Sequence, residues 1–443
     1  MDPFDQDDSS DDPLEALRRL LRDLGLPEDA DINDTEVRAD LFRTMMQRLM
    51  PSDHMSDEAV VWETVRQMAR HLVASLGPDP SGSSRMSRQV SDAVHLAELW
   101  LSEATILPPL PMAGAAMSRA EWIESTLPAW KPIIEPVIEI LAAGVNDATE
   151  RQMAMDHDAM TPDLASMIHP IMSRAISAMF GAHVGEGLGR AAMATMTGTD
   201  LGLPLILRPV VGILPTNLSA IQQQADLEEE ALLVFCALRE AARQRLFLEI
   251  GWIAPQIIAL VQHFAREMRV DPDAIGQAME RAAPESLNAE SVAAFQMDFS
   301  TILFTPEQSE EQQQIMLRLT TLLALVEGWV DNVTASVASR WLPGWEAISE
   351  SLRRHRATSR PSQVTVTPLI GLSASPGAIR AAGSFWEEVR RARGIEGRDD
   401  IWRHPESMPG AGDIADPAGF LHPAEQKEDP WDDELRRFLA EET

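Results

Sequence analysis

The spacing of the apolar residues restricts the fold of this chain more than any other feature. Apolar side chains recur every three or four positions in residues 14–24, 36–49, 58–76 and 90–104. Residues at this spacing lie on one face of an α-helix, whereas a half-buried strand alternates at every second residue. Residues 363–367 alternate in that way, but only over a few positions. The pattern therefore predicts an all-α, mainly helical protein.

Two long helices and one interrupted helical region are predicted in the middle of the chain. The apolar periodicity runs from about residue 226 to 250 and from about 310 to 340. Residues 121–145 show the same periodicity but contain Pro128 and Pro132. An interior proline removes a backbone hydrogen bond and clashes with the preceding turn. We therefore expect two helices around these prolines.

Three glycines at a spacing of four predict a close contact between two helices. Gly181, Gly185 and Gly189 would form a stripe without side chains along one helix face, so that a second helix can approach. A phosphate-binding loop is disfavoured, because no strand pattern precedes these glycines and no Lys-Ser or Lys-Thr pair follows them.

Composition divides the chain into three parts. Residues 1–12 contain six aspartates and form a predicted tail, since acidic ends are usually solvated and poorly ordered. Residues 13–360 form the predicted helical domain. After Pro361 the helical pattern weakens and Pro and Gly punctuate the sequence. We therefore place a smaller, irregular or helical C-terminal unit at 361–443, ending in a second acidic tail.

The balance of charge restricts the partners of the chain. Its 37 basic and 69 acidic residues give a formal net charge of −32, which disfavours binding to nucleic acid and to anionic membranes. No run approaches the roughly 18–20 apolar residues of a membrane span, and the N-terminus has no basic-then-apolar signal segment. We therefore expect a cytoplasmic protein without membrane insertion, whose partner is a protein or a peptide.

Cysteine use excludes two kinds of site. Cys236 is the only cysteine, so the chain can form neither an intrachain disulfide nor a thiolate zinc cluster. It lies among Leu232, Phe235 and Leu238, and these neighbours predict a buried, unreactive thiol.

The residues Arg239-Glu240-Ala241-Ala242-Arg243 have the layout of the zinc-protease motif His-Glu-x-x-His, with arginine at both histidine positions. That motif works because residues four apart lie on one helix face, so two imidazoles bind one metal beside a glutamate that handles a water proton. A guanidinium stays protonated and has no lone pair for a metal. The motif therefore suggests a zinc-hydrolase scaffold and argues against zinc.

Two carboxylates on the second long helix are candidate partners for these arginines. Glu327 and Asp331 are also four apart and share a helix face. Arg239 and Arg243 continue an apolar stripe, and an unpaired buried charge is costly. We hypothesise a structural cluster of ion pairs between the two helices. The alternative is that both arginines extend from the edge of the stripe into water.

Several separate segments, taken in order, resemble an actinobacterial zincin-like family of zinc-dependent metalloproteases and provisionally assigned hydrolases. The similar segments are residues 96–101, 122–128, 181–189, 238–247, 324–331, 369–372 and 398–405. The resemblance implies a mainly helical zincin-like fold with its site between the two long helices. It also implies that zinc is the cofactor of the family.

By position, the resemblance assigns a role to each residue of the two motifs. Arg239 and Arg243 stand where the zinc ligands belong, Glu240 stands at the catalytic glutamate, Glu327 at the third ligand, and Asp331 at the acid that orients a ligating histidine. Because both histidines are replaced, no metal is expected in this copy. We expect a catalytically inactive zincin-fold protein with a binding or structural role.

An active metal-dependent peptidase or hydrolase is the alternative. It would use Glu240 as general base with a non-standard ligand set. The histidines of the central region are His157, His169, His183 and His263, none of them four residues from another. A site of Glu240, Glu327 and His183 is the ligand set that this alternative could use.

Overall fold

The computed structural model describes residues 57–155, 178, 180–206, 208–267, 309–359 and 374–422. Within these residues there are twelve α-helices and two short strands, which confirms the mainly helical fold. The chain divides into two compact units, Met1–Val60 and Val61–Thr443, and the features described below lie in the second, apart from residues 57–60 at the start of the first helix. Both acidic tails, the alternating segment 363–367 and the predicted boundaries at residues 12 and 360 lie outside the described residues.

The helices follow one another with short connections in most of the described chain. They are α1 (Asp57–Ser75), α2 (Ser84–Leu101), α3 (Arg119–Met155), α4 (180–194), α5 (Pro215–Ala225), α6 (Glu229–Glu249), α7 (Ile253–Arg266), α8 (Glu310–Trp341), α9 (Trp345–Ser359), α10 (Pro376–Asp399), α11 (Ala411–Ala415) and α12 (Pro417–Leu421). Two 3₁₀ turns, Asp400–Arg403 and Pro405–Ser407, follow α10.

Two strands were not predicted from the sequence. β1 (Ala113–Ala116) pairs in parallel with β2 (Val210–Ile213), with Ala113 opposite Val210 and Ala116 opposite Ile213. Each strand has only four residues, too few to establish an alternating pattern. Their pairing depends on tertiary contacts that bring distant segments together.

The prediction of two helices around Pro128 and Pro132 was wrong. α3 is one helix of 37 residues, and Pro128, Pro132 and Pro136 all lie inside it. At a spacing of four the prolines share one face, which is exposed or half-buried, while Trp130 and Ile133 are buried. Burial of that apolar side offsets the hydrogen bonds that the prolines remove.

The two long helices begin where polar caps fix them. The first was predicted from about residue 226, but Asp226 has a φ of 50° and ends α5 in the left-handed conformation. The side chain of Glu228 then accepts hydrogen bonds from the first turn of α6. Ser309 and Gln312 form a capping box at the start of α8. The helix begins at Glu310, close to the predicted start.

The stripe of glycines packs α4 closely against α1, which confirms the predicted contact. A Cβ atom at Gly181 would lie 2.9 Å from the carbonyl oxygen of Val61, and one at Gly185 would lie 2.5 Å from that of Val65. Such distances are too short for any side chain, so glycine is required for this approach.

α6 and the middle of α8 lie in the centre of the fold and are buried on almost every side. α10 packs on α8 where a Cβ at Gly328 would lie 2.6 Å from the backbone nitrogen of Gly383. At the end of α10, Asp399 accepts hydrogen bonds from Thr105 (2.6 Å) and from the indole of Trp329 (2.9 Å). These contacts hold α10 against α8 and against the segment that contains Thr105.

Among the described residues, no single helix has both the length and the apolar composition needed to cross a membrane. α6 and α7 meet those two criteria only as a pair, with a bend of 82° between them.

Candidate functional site

Arginine and carboxylate side chains form a cluster where α6 passes α8. Arg239 and Arg243 are one turn apart on α6, and Glu327 and Asp331 are one turn apart on α8. The structure brings these four side chains together. Three of them are buried, whereas 26% of the Asp331 side chain is exposed. We call this group, with Asp200 and Arg356 described below, the central cluster.

Glu327 is the shared acceptor of the two arginines. Its Oε1 accepts a hydrogen bond from Arg243 Nε at 2.5 Å, and its Oε2 accepts from Arg239 Nη2 at 3.0 Å and from Arg243 Nη2 at 3.2 Å. Arg239 Nη1 also donates to Asp331 Oδ1. The geometry is that of charge-assisted hydrogen bonds between planar guanidiniums and carboxylates.

Two further members of the central cluster were missed by the sequence analysis. Asp200, in the turn after α4, accepts from Arg356 Nη2 at 2.8 Å and from Arg243 Nη2 at 3.4 Å. Arg356, in the last turn of α9, also lies 3.6 Å from Glu327 Oε2. The spacing of the residues around Arg356 matches no motif, so only the fold shows that it reaches this site.

The carboxylates of the central cluster stay ionised because guanidiniums lie beside them. Burial disfavours ionisation of Glu327, but the charges of Arg243, Arg356 and Arg239 together outweigh it and hold the pKa of Glu327 below its usual range. The same opposition between burial and nearby guanidiniums lowers the pKa values of Asp331 and Asp200. Three guanidiniums therefore face three ionised carboxylates.

Glu240 points away from water into the turn that follows α4. It is fully buried and accepts hydrogen bonds from the hydroxyl of Thr197 (2.7 Å) and from the hydroxyl (2.8 Å) and amide (3.0 Å) of Thr199. Arg243 Nη1 lies 3.3 Å from its Oε2. Burial, the largest effect, nevertheless raises the pKa of Glu240.

Burial also determines the chemistry of the single cysteine, as predicted. Cys236 is buried, and burial together with the charge of Asp200 raises the pKa of its thiol to about 12. A thiol with this pKa carries almost no thiolate near neutral pH, so it is a poor nucleophile.

A groove of about 570 Å³ opens beside the central cluster. Arg239 and Asp331 belong to both the cluster and the groove, so the cluster forms part of its wall. The other lining residues come from α6, α8, α9 and α10 and combine apolar, cationic and acidic side chains: Phe235, Asn332, Thr334, Ala335, Trp345, Glu346, Ser349, Arg353, Ile379, Arg380, Gly383, Ser384, Glu387, Glu388 and Arg391.

The sequence profile of the zincin-like metallopeptidase family matches residues 60–421. The chain belongs to this family. Among solved structures, it is similar to the crystal structure of a provisionally assigned hydrolase with a novel fold from Chloroflexus aurantiacus. The TM-score is 0.57 at 18% identity, over 83% of this chain and 99% of the other, which shows a shared fold. A comparison with curated proteins gives no match.

Zinc is the metal that membership in this family implies, and the side chains at the two motif positions do not fit it. Neither Arg239 nor Arg243 has a lone pair to donate, and the family position of the third ligand is Glu327, whose two oxygens accept hydrogen bonds from these same arginines. An ion and two guanidiniums would compete for one carboxylate, with repulsion between the positive charges.

The other histidines considered from the sequence do not complete this site in the described residues. His183 is exposed on α4, whereas Glu240 is fully buried, so the predicted set of Glu240, Glu327 and His183 is not brought together. His157 and His169 lie outside the described residues. His263 lies near Glu267 and Glu311, at the opposite end of α8 from the groove.

Proposed function

We propose that this zincin-like protein is catalytically inactive and binds a peptide or an extended protein segment in the groove beside the central cluster. The observation that carries the proposal is the double engagement of Glu327 by Arg239 and Arg243. Arginine supplies, in fixed covalent form, the positive charge that a metal would bring. The carboxylates are then structural partners and not metal ligands.

The surroundings of Glu240 support the same proposal. A general base must reach the proton that it removes, directly or through one water. Glu240 has no exposed surface, and its oxygens accept hydrogen bonds from Thr197 and Thr199. It is therefore placed to stabilise the turn after α4.

The lining of the groove supports a peptide as the ligand. Trp345 and Ile379 are partly exposed and offer apolar contacts, and Asp331 Oδ2 accepts no hydrogen bond from any residue that the structure describes. Arg380 and Glu346 are exposed and have no ion-pair partner among the described residues. A peptide matches this combination, because it carries apolar side chains, both signs of charge and backbone donors and acceptors.

An active peptidase with a non-standard ligand set is the second candidate. The raised pKa of Glu240 favours it, because a general base works best when its pKa lies near the working pH. Under this candidate Glu240 would activate water on a metal whose ligands include Glu327 or Asp331. Arg243 would then have to leave Glu327.

The test is incubation of the full chain with a peptide library and added Zn²⁺, read by mass spectrometry of both the bound and the free peptides. We expect a subset of peptides to bind and to be recovered intact. Ser384→Trp, which fills the groove, should weaken binding at least about tenfold, a loss of about 1.4 kcal/mol. Ser339→Trp, at an exposed position of α8 outside the groove, should not.

Cleaved peptides that are absent with Glu240→Gln would establish the active alternative, because a contaminating protease would not respond to this substitution. Intact peptides that bind equally well to Ser384→Trp would place the ligand elsewhere and contradict the groove. Failure of every library peptide to bind would also contradict the proposed function.

A further inference from the structure

A group of three metal-binding side chains lies at the junction of α7 and α8. His263 is in the last turn of α7 and Glu267 caps that helix, so the two are four residues apart on one face. Glu311 is in the first turn of α8. One ligand atom from each of the three lies within 4.8 Å of the other two. We call His263, Glu267 and Glu311 the junction group.

The distances in the junction group suit a shared ion. His263 Nε2 and Glu311 Oε1 are 3.5 Å apart. Ligand atoms about 2.1 Å from a tetrahedral zinc ion lie about 3.4 Å from one another. Two of the three donors therefore already have the separation that coordination requires. Rotation of the half-buried Glu267 side chain can bring the third to the same distance.

The junction group differs chemically from an acidic patch, because a neutral imidazole provides a nitrogen lone pair beside two carboxylates. No arginine or lysine among the described residues forms an ion pair with Glu267 or Glu311, so neither carboxylate is already neutralised by a fixed cation. Nitrogen and oxygen ligands together favour a borderline cation such as Zn²⁺ over Ca²⁺ or Mg²⁺.

We propose that His263, Glu267 and Glu311 bind one divalent transition-metal ion, with water completing its coordination. The site is separate from the central cluster, because Glu311 and Glu327 are sixteen residues apart on α8, or about 24 Å along the helix axis. A bound ion would link the end of α7 to the beginning of α8. The proposal does not depend on the proposed function of the groove.

The experiment is a calorimetric titration of the chelator-treated full chain with Zn²⁺. We expect one ion per chain with micromolar affinity. Because a ligand is lost, His263→Ala and Glu311→Gln should each weaken binding at least about tenfold. The matched control is His95→Ala, which removes another exposed helical histidine, on α2, and should leave the affinity unchanged.

Visible absorption of Co²⁺ provides a second readout, because an ion held by imidazole and carboxylates absorbs differently from the hydrated ion. Absence of both heat and spectral change would overturn the proposal. So would an affinity that is the same in all three variants, since the ion would then bind elsewhere. Circular dichroism checks the fold of each variant, and Glu267→Gln provides a third ligand deletion if either of the others unfolds.

Discussion

The central cluster and the junction group both bring acidic residues of α8 near a basic or metal-binding side chain of a neighbouring helix, but they differ in what that side chain can do. At the centre, Glu327 faces guanidiniums that are always charged and that donate hydrogen bonds to both of its oxygens. At the junction, Glu311 faces an imidazole with a lone pair. A glutamate of α8 is therefore a structural anion in the central cluster and a potential metal ligand in the junction group.

Burial adds to this difference. Glu327 is buried, so its charge is stable only beside its arginines, whereas His263 and Glu311 are exposed and solvated by water. Removing a partner from the centre leaves an uncompensated buried charge, but removing one from the junction leaves a hydrated side chain. Proximity of acidic side chains therefore does not by itself identify a metal site, because the partner that neutralises them decides whether they can bind an ion.

Of the changes considered, removal of Arg243 should alter the free energy of unfolding most. Arg243→Ala leaves Glu327, Asp200 and Glu240 without their common partner, so we expect the free energy of unfolding to fall by about 3–5 kcal/mol. Glu311→Gln at the junction should change it by no more than about 0.5 kcal/mol. Urea denaturation measures both. Equal losses in the two variants would remove the distinction between the two regions.

Restoring histidine at the motif should convert the centre into a metal site. The double substitution Arg239→His and Arg243→His is made in a His263→Ala background, so that zinc bound at the junction does not contribute. Elemental mass spectrometry should then find about one zinc per chain. Zinc at a hundredfold excess over Kd should stabilise the protein by about 2.7 kcal/mol.

The matched control for the restored motif carries glutamine in place of histidine at 239 and 243, which removes the guanidiniums without supplying imidazoles. It should contain no zinc. Near-stoichiometric zinc in the His263→Ala protein with both arginines intact would contradict the inactive assignment, because the centre would then hold a metal despite its arginines.

Acidification should weaken the central cluster by a smaller amount. The folded-state pKa values of Glu327, Asp331 and Asp200 lie below the ordinary values of 4.5 and 3.8 for Glu and Asp. The unfolded chain therefore takes up these protons first, and the stabilisation present above about pH 4.5 is lost as the pH falls through the folded values. Asp331→Asn should reduce the slope of unfolding free energy against pH in this range. An unchanged slope would show that Asp331 does not take part.

Helical periodicity and capping residues are local signals, and the sequence shows them without a structure. Periodicity alone predicted the bounds of α8 closely, and the capping box of Ser309 and Gln312, a signal that was not used, marks the same start. Periodicity failed at α3, where burial of the face that carries Trp130 maintains a helix through three prolines. The paired strands also escaped prediction, because β1 and β2 are nearly a hundred residues apart.

For the candidate site, the sequence by itself determined which chemistry was available and which was not. Arginine at positions 239 and 243 excludes two imidazole ligands, and the spacing of Glu327 and Asp331 places two acids on one helix face. These conclusions need only the identity of each side chain and the pitch of a helix. The glycine stripe of α4 is equally local, since the missing side chains are visible in the sequence.

Only the tertiary structure decided which distant groups meet. It brought Asp200 and Arg356 to the central cluster from segments with no recognisable motif. It also directed the side chain of Glu240 into the buried turn that contains Thr197 and Thr199. It also placed His263 and Glu311 together from two helices. Such contacts depend on how helices cross and pack, which is set by the whole core and not by the spacing of residues in any one segment.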